Sequence, residues 1–375
     1  MNAFFYFPIN VDLSPDSGIV KKNEHIVSAF RSQGVHPDVV TFSYSGIHLN
    51  GELFEKIPNL KLVRGIYNYV VAYTVVAASV DFSTYKFAWI RAGVCLPPQL
   101  FMLKEIKRKN PDIKILLEYG SYPYDSEYVG YRRLLLGADK YFSKELRKCV
   151  SFAITYCGQS EIHGIPTVKI GNGIDVAKIR WTSTRKPFDQ VLRIVSVSSM
   201  NAEHALDRVI AGLQQYYMQS TDRRQVVLDV VGDGPERGRL EQLVASAGLE
   251  KRVTFHGFKI QNELNEIFDE SHLAIGTLGM HRTGLAADSS LKNREYFARG
   301  FPFVLATSDA DFPAELPFVK YVPSDESPID IESLVDFYED VANRIPDFPE
   351  RIRRYAEEHL TWNSRIKHIL DVVDS

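Results

Sequence analysis

Short apolar runs rich in β-branched and aromatic residues alternate with longer amphipathic segments along almost the whole chain. The runs have the length of buried strands, and the longer segments have the periodicity of helices. Because strands that alternate with helices build parallel sheets, this rhythm predicts an α/β protein. The predicted strands are Ala3–Phe7, Val39–Ser43, Leu60–Arg64, Lys86–Arg91, Ile113–Glu118, Phe152–Tyr156, Thr167–Ile170, Arg193–Ser198, Val226–Val231, Val253–Phe255, Leu273–Gly276 and Phe303–Ala306.

The pattern falls into two doubly wound halves. A turn-forming cluster at residues 171–175 and the poorly periodic stretch Trp181–Gln190 lie between them. We therefore predict two Rossmann-like domains, over residues 1–172 and 173–355, that face a central cleft. A last helix, at about residues 356–375, is expected to pack back on the first domain. Ligands of such sheets bind at the carboxyl ends of the strands, so functional residues should follow strands.

Length and composition agree with two globular domains. The chain has 375 residues, of which 45% are hydrophobic and 24% charged, a balance that supports two cores and excludes a disordered protein. The three cysteines lack the spacing of a disulfide framework or a zinc site. The N-terminus reads as a strand rather than a signal peptide, and the longest apolar run, Tyr69–Val80, is shorter than the roughly 20 residues of a membrane-spanning helix. We expect a cytoplasmic protein.

The net charge of −3 hides an uneven distribution. Residues 1–170 contain 20 basic and 15 acidic side chains, a net charge of +5, whereas residues 171–375 contain 24 and 32, a net charge of −8. The basic excess lies in residues 101–150, with 11 basic and 7 acidic side chains beside leucines and aromatics. That region either contacts an anionic membrane or a lipid diphosphate, or is a solvated helix whose apolar residues pack inward. The overall balance speaks against a nucleic-acid partner.

The densest group of candidate functional residues lies in the second half. The turn Gly232-Asp233-Gly234-Pro235 joins a strand to a helix, and its glycines either let the backbone approach a ligand or form an ordinary tight turn. A later helix begins near Ser289. The free N–H groups of Ser289, Ser290 and Leu291 offer a seat for a diphosphate at the positive end of the helix dipole.

Charged side chains surround this helix start. Lys292 and Arg282 can add positive charge at a diphosphate. Glu295, about one and a half turns into the helix, either accepts both hydroxyls of a nucleotide ribose or forms an i,i+4 salt bridge with Arg299. Residues 309–311 read Asp-Ala-Asp, the pattern of some metal sites, but they trail a strand and we expect no metal there.

The order of these motifs resembles the nucleotide-sugar domain of retaining glycosyltransferases with the GT-B fold, the family 4 group, and especially bacterial enzymes that build capsular or exopolysaccharide repeat units. The matching motifs are GDGP at 232–235, V-x-F-x-G at 253–257 and LK-x-REY-x-A-x-G-x-P at 291–302. The resemblance implies transfer of a sugar from a nucleoside-diphosphate donor to a glycan or polyprenyl-diphosphate-linked acceptor, without a metal or other cofactor. It assigns the ribose to Glu295.

The chain departs from the family pattern at two places. A second glutamate, eight residues before Glu295, is replaced by Ala287, and the adjacent Asp288 either faces the donor sugar or caps the helix. An Arg–Lys pair that holds the diphosphate aligns with Ser199 and His204. A protonated His204 would restore one positive charge, whereas Ser199 cannot.

Residues of the first half are matched more loosely. Gly18 follows the first strand, where a glycine either approaches the donor or forms an ordinary turn. Glu118 and Tyr119 end another strand and are candidates for contact with the sugar or acceptor. Over the whole chain we assign catalysis to Asp288, Arg282 and Lys292, and donor binding to Gly18, Ser199, His204, Gly232, Gly234, Phe258, Ser289, Ser290, Leu291 and Glu295.

The sequence therefore favours a retaining hexosyltransferase of surface polysaccharide biosynthesis. Its donor would lie in the acidic second domain and its acceptor against the basic first domain, with peripheral contact at the inner face of the cytoplasmic membrane. A nucleotide-sugar epimerase on the same fold is one alternative. A catalytically silent subunit that binds a sugar or a partner is another, and the missing Arg–Lys pair favours it.

Overall fold

The computed structural model of the chain describes residues 1–12, 18–57, 67, 71–120, 122–125, 133–156, 158–181, 183, 191–219, 224–284, 287 and 289–374. The chain packs as two units. The N-terminal unit comprises Met1–Ile170 and Trp362–Ser375, and the C-terminal unit comprises Gly171–Thr361.

Strands and helices alternate in both units. The strands are β1 (Asn2–Asn10), β2 (His36–Phe42), β3 (Gly46–Leu49), β4 (Glu52–Lys56), β5 (Phe87–Arg91), β6 (Lys114–Tyr119), β7 (Phe152–Thr155), β8 (Glu161–Ile162), β9 (Ile165–Lys169), β10 (Val191–Val197), β11 (Gln225–Val231), β12 (Val253–Gly257), β13 (Leu273–Ile275), β14 (Phe303–Leu305) and β15 (Val319–Tyr321). The helices are α1 (Gly18–Ser32), α2 (Ala72–Ser79), α3 (Pro97–Lys109), α4 (Arg133–Phe142), α5 (Leu206–Gln219), α6 (Arg237–Ser246), α7 (Gln261–Glu270), α8 (Leu291–Ala298), α9 (Ile331–Arg344), α10 (Phe348–His359) and α11 (Trp362–Asp374).

The N-terminal unit is built on a nine-stranded sheet of order β4-β3-β2-β1-β5-β6-β7-β9-β8. The central strands pair in parallel, and β3, β4 and β8 add antiparallel edges. Residues 3–7 of β1 are almost fully buried, as expected for a central parallel strand with helices on both faces. One face packs beneath α2 and α3, and the other beneath α1 and α11.

The C-terminal unit has a six-stranded, all-parallel sheet of order β12-β11-β10-β13-β14-β15. In this order the direction of winding reverses between β10 and β13. The carboxyl ends of those two strands therefore form the switch point at which open α/β sheets bind ligands. One continuous core lies around this sheet and includes α9 and α10.

The structure confirms the predicted fold class, an α/β protein with two Rossmann-like units. The predicted strand Leu60–Arg64 lies outside the described residues, and each of the other predicted strands overlaps an observed one. The apolar pattern did not predict β3, β4, β8 and β15, which are short. In β4 most side chains are exposed and charged, so an apolar pattern could not reveal it.

The end of the chain differs from the expected single helix. The helical segment breaks at residues 360–361, so α10 belongs to the C-terminal unit and only α11 to the N-terminal unit. Trp362, Ile366, Ile369 and Val373 of α11 are buried in the core beneath α1. No helix in the described part of the chain is long and apolar enough to cross a bilayer.

Two glycines inside helices form a matched test of the packing. A Cβ at Gly212 of α5 would lie 2.0 Å from the carbonyl oxygen of Ile329, whereas a Cβ at Gly137 of α4 would meet nothing within 4 Å. We expect Gly212→Ala to lower the free energy of unfolding by about 1–3 kcal/mol because the backbone must shift. Gly137→Ala should raise it by up to about 1 kcal/mol through helix propensity. Urea unfolding checks both changes, and equal effects would contradict the packing described at Gly212.

Candidate functional site

Three loops converge at the switch point of the C-terminal sheet. They follow β10 (residues 198–205), β11 (232–236) and β13 (276–284). The N–H of Glu236 donates to the carbonyl of Met200 over 3.1 Å, and the N–H of Gly279 donates to the carbonyl of Glu203 over 2.9 Å. The loop after β10 is therefore held by both neighbours.

The glycines of the 232–235 turn are explained by this convergence. A Cβ at Gly232 would lie 1.9 Å from the carbonyl oxygen of Ser198, and one at Gly234 would lie 1.8 Å from that of Ser199. Gly232 also has a φ of +116°, which side-chain-bearing residues rarely adopt. Close packing against the loop after β10 therefore accounts for both glycines, and contact of their backbone with a ligand stays a prediction.

Arg282 lies in the loop after β13, but its charge is already offset. Its guanidinium donates to both carboxylate oxygens of Asp207, at 3.1 and 3.0 Å, and to both of Glu326, at 2.9 and 2.5 Å. It also donates to the carbonyl of Ala202. The bonds to Glu326, together with those to Asp207, raise the pKa of Arg282. Arg282 thus links the loops after β10 and β13, and its contact with a diphosphate stays a prediction.

Lys292 and His204 lie close enough to interact. The Lys292 ammonium donates to the carbonyl of Gly276 over 3.0 Å. Burial, and secondarily the positive charge of Lys292, lowers the pKa of His204 to about 3. His204 is therefore neutral at physiological pH, which corrects the expectation that it could restore a positive charge. Ser199 is exposed, and its hydroxyl accepts a bond from Asn201.

The start of α8 is fixed by its neighbours. Ser290 is the N-cap residue, and Leu291 is 37% exposed. Ser289 is buried, its hydroxyl accepts the backbone N–H of Asn172 over 2.8 Å, and its carbonyl accepts the side-chain amide of Asn172. The hydroxyl of Ser289 is therefore occupied. Asp288 lies outside the described residues.

A buried ion cluster supports the same helix end. Arg294 is fully buried and donates to Asp309 over 2.5 and 2.7 Å and to Asp311. It also donates to the carbonyls of Ser290 and Asn172. Both carboxylates of the Asp-Ala-Asp sequence are thus bound to an arginine.

Glu295 forms the predicted i,i+4 salt bridge. Arg299 donates to its Oε1 over 3.0 and 2.8 Å, and Arg299 also bonds Asn265 and lies over the ring of Phe268. Both bonds use Oε1, and the side chain of Glu295 remains 33% exposed. The salt bridge is present, yet Oε2 is left for a ligand, so the two interpretations of Glu295 are compatible.

The sequence predicted a role in donor binding for Phe258 but not for Asn293. Phe258, after β12, is 79% exposed, so its ring is available for contact. Asn293, for which the sequence predicted no role, is fully buried, and neither its side-chain oxygen nor its nitrogen has a hydrogen-bond partner among the described residues. Its Oδ1 lies 2.8 Å from where a Cβ would stand at Gly276. A buried amide without partners is the kind of group that an ordered water satisfies.

In the N-terminal unit, Glu118 is the centre of a buried charge cluster. Its carboxylate binds Lys22 at 3.2 Å and Arg91 at 3.3 Å, and accepts bonds from Trp89 and Tyr156 at 2.9 Å. Burial opposes ionisation, but the two cations hold the pKa of Glu118 well below its usual value.

This burial removes two candidates for contact with a ligand. Glu118 is fully buried and Tyr119 is 3% exposed, which corrects the expectation that either touches the sugar or acceptor. Burial lowers the pKa of Lys22 to about 8. Gly18 begins α1, the helix that carries Lys22.

Comparisons with known proteins agree with this architecture. The family model described as "Glycosyl transferases group 1" matches residues 192–316, within the C-terminal unit. No curated protein sequence matches the chain.

Solved structures are similar over the whole chain. Sucrose-phosphate synthase from Thermosynechococcus elongatus is 16% identical, with a TM-score of 0.64 over 99% of this chain and 98% of that one. Anabaena HepE in complex with UDP and glucose is 14% identical, with a TM-score of 0.62 over 99% of both. A glycosyltransferase from Rickettsia africae is 12% identical, with a TM-score of 0.64 over 99% and 97%. At these identities the likeness establishes the fold, which is GT-B.

The neutral state of His204 gives a pH prediction. Since its pKa falls from 6.5 to about 3, we expect no titration of its ring protons by NMR between about pH 5 and pH 8. The unfolded chain binds a proton at His204 below about pH 6.5 while the native protein does not, so stability should fall as the pH drops from 6.5 towards 3. His204→Gln should reduce that fall. A ring titration with a midpoint near 6.5 would contradict the burial described.

Proposed function

We propose that this protein is a glycosyltransferase that moves a sugar from a nucleoside-diphosphate donor to a glycan or lipid-linked acceptor, with retention, in surface polysaccharide biosynthesis. The observation that carries the proposal is the start of α8, beside the switch point of an all-parallel sheet, within the segment that matches the group 1 glycosyltransferase model. The solved structures with UDP or sugar ligands share the fold and support the same class of chemistry.

The donor diphosphate would bind at the start of α8. The first N–H groups of a helix have no partners within the helix, and its dipole places partial positive charge there. Lys292, the second residue of the helix, adds a full unit of positive charge to the partial charge of the helix end. Arg282 would act by holding the loops after β10 and β13 in place. Phe258 offers an exposed ring to the base, and Gly18, Ser199, His204, Gly232 and Gly234 shape the surrounding loops.

The ribose would bind Glu295 through Oε2. Because Arg299 holds Oε1 from within the helix, the carboxylate is already oriented before the donor arrives. Asp288 remains our candidate for contact with the donor sugar. In retaining transfer the leaving diphosphate can itself take the acceptor proton, so the protein contributes chiefly by stabilising charge on that diphosphate.

A catalytically silent binding subunit is the second candidate. It is favoured by the scarcity of cations at the site, because Arg282 is neutralised by Asp207 and Glu326 and His204 is uncharged.

Thermal unfolding with UDP-, GDP- and dTDP-sugars tests donor binding, since a ligand that binds the native state raises the Tm. Transfer to an acceptor supports the glycosyltransferase. Conversion of the donor sugar without an acceptor supports an epimerase, and binding without turnover supports the silent subunit.

Glu295→Gln tests the ribose contact. We expect donor affinity to fall by about tenfold or more, because the ribose hydroxyls lose a charged acceptor. Arg299 keeps the side-chain oxygen of the glutamine as a partner, so the Tm should change little. Glu357→Gln is the matched control: Glu357 also pairs at i,i+4 with a nearly buried arginine, Arg353, in α10. Calorimetric titration of the donor checks both variants, and equal affinities for the wild type and Glu295→Gln would remove the ribose contact from the proposal.

We also propose peripheral contact with an anionic membrane through the basic region of the N-terminal unit. Leu134 and Tyr141 of α4 are 80% and 69% exposed, and Phe101 of α3 is 46% exposed, so these residues do not pack inward. A salt bridge of 3.5 Å joins Lys104 of α3 to Glu145, just after α4, so both helices contribute to one surface. Basic side chains beside exposed apolar ones are typical of interfacial binding.

Vesicle sedimentation tests the membrane contact. We expect binding to vesicles rich in anionic lipid, weakened by salt, and a loss of about tenfold in Leu134→Ser/Tyr141→Ser because two apolar anchors are removed. Met218→Ser serves as the control, since Met218 is equally exposed but lies in the C-terminal unit. Equal binding by the double variant and the control would contradict the proposed surface.

A further inference from the structure

A cavity of about 290 Å³ opens in the N-terminal unit. It lies among the segment that follows β6, the end of α4 with the 3₁₀ turn after it, and the turn between β8 and β9. None of the residues assigned to the donor lines it, and all of its lining residues except His163 belong to the basic region of residues 101–150. The exposed apolar side chains Leu134 and Tyr141, proposed to contact the membrane, do not line the cavity, so membrane contact does not account for it.

One wall of the cavity is aromatic and rigid. The rings of Tyr122 and Tyr124 lie 5.7 Å apart, and the ring of His163 lies 5.5 Å from that of Tyr122. Asp139 is buried and accepts the Tyr124 hydroxyl over 2.7 Å and the backbone N–H of Cys95 over 2.6 Å. Its two oxygens are thus occupied in holding the wall.

Two hydroxyl groups of the lining residues have no hydrogen-bond partner among the residues that the structure describes. Ser143 is 2% exposed, yet its hydroxyl, which lines the cavity, makes no hydrogen bond within the described residues. The Tyr122 hydroxyl likewise has none among them. Such hydroxyls, lodged in a cavity wall, favour a ligand that can exchange hydrogen bonds with them.

Charged side chains of both signs line the cavity. Lys140 and Lys144, one helical turn apart, form no ion pair with any residue that the structure describes. Asp125 has no ion-pair partner there either. Two lysines suit an anionic group such as a phosphate, and a carboxylate suits hydroxyl groups. A ligand that satisfies both carries hydroxyl groups as well as a phosphate.

We infer that this cavity binds the sugar phosphate portion of the acceptor, with the sugar ring against Tyr122 and Tyr124 and the phosphate at Lys140 and Lys144. The inference rests on the proposed function and adds an acceptor subsite to it. The phosphate comes from a lipid-linked diphosphate or from a soluble sugar phosphate. The exposed Leu134 and Tyr141 lie on the same helix, α4, as Lys140, so a membrane-bound acceptor would reach the cavity at the surface already proposed to contact lipid.

Calorimetry with small probes tests the subsite. Glucose, galactose, mannose and N-acetylglucosamine 1-phosphates are titrated beside the free sugars and inorganic phosphate, with the nucleotide from the donor screen in excess to occupy the donor site. We expect at least one sugar phosphate to bind about tenfold more tightly than its sugar or phosphate alone. Lys140→Ala/Lys144→Ala should lose that affinity by about tenfold, and Ser143→Ala should weaken it less, because the charged contacts are stronger.

The control removes the same charge outside the cavity. Lys114→Ala/Lys169→Ala, on β6 and β9, should change the affinity by less than about twofold, because neither lysine lines the cavity. Equal losses of affinity in the two double variants would overturn the inference. So would a pair of negative results, in which no probe binds in the absence of lipid and retention by vesicles does not depend on Lys140 and Lys144. Intact donor binding in such a result would leave the proposed function standing, whereas failure to bind any donor would refute that function separately.

Vesicles distinguish the two sources of phosphate. Phosphatidylcholine vesicles are prepared with and without a polyprenyl diphosphate sugar, and retention of the protein is measured. Retention that requires the polyprenyl diphosphate and is lost in Lys140→Ala/Lys144→Ala assigns the subsite to a lipid-linked acceptor. Binding of soluble sugar phosphates with no gain from these vesicles assigns it to a soluble one.

Discussion

The guanidinium of Arg294 bonds two carboxylates and two carbonyl oxygens that belong to separate segments of the chain. Asp309 and Asp311 follow β14, the carbonyl of Ser290 begins α8, and that of Asn172 lies at the start of the C-terminal unit. A fully buried cation needs this many acceptors, since an unpaired one would cost several kcal/mol. Because the cluster fixes the first turn of α8, the position of any anion at that helix end follows from it.

Few positive charges are available at the candidate site. Arg282 is bonded to Asp207 and Glu326, and burial keeps His204 neutral. In the proposed function, Lys292 and the helix end therefore supply most of the attraction for the diphosphate. Backbone N–H groups do not depend on pH and are already oriented, which suits a site that stabilises a leaving group. An anionic donor would therefore be attracted only weakly over long distances to this unit, because the net charge of the unit is negative.

The apolar pattern was sufficient for the fold because central parallel strands such as β1 are buried on both faces and read as continuous hydrophobic runs. It also located the loops that meet at the switch point. What it could not supply was the pairing of side chains distant in sequence. Nothing local in the sequence joins Arg282 to Glu326, or tells that Glu118 is buried between two cations. The pKa of His204 likewise depends on burial, a property of the folded chain.

The return of α11 to the N-terminal unit has a consequence for synthesis of the chain. Translation proceeds from the N-terminus towards the C-terminus, so the whole of Gly171–Thr361 is made before Trp362 emerges. Until then the sheet face beneath α1 lacks the cover that Trp362, Ile366 and Ile369 provide, and its apolar side chains remain exposed. The unit that begins first is therefore completed last. The C-terminal unit is continuous in sequence, so its core can form before α11 of the N-terminal unit has been synthesised.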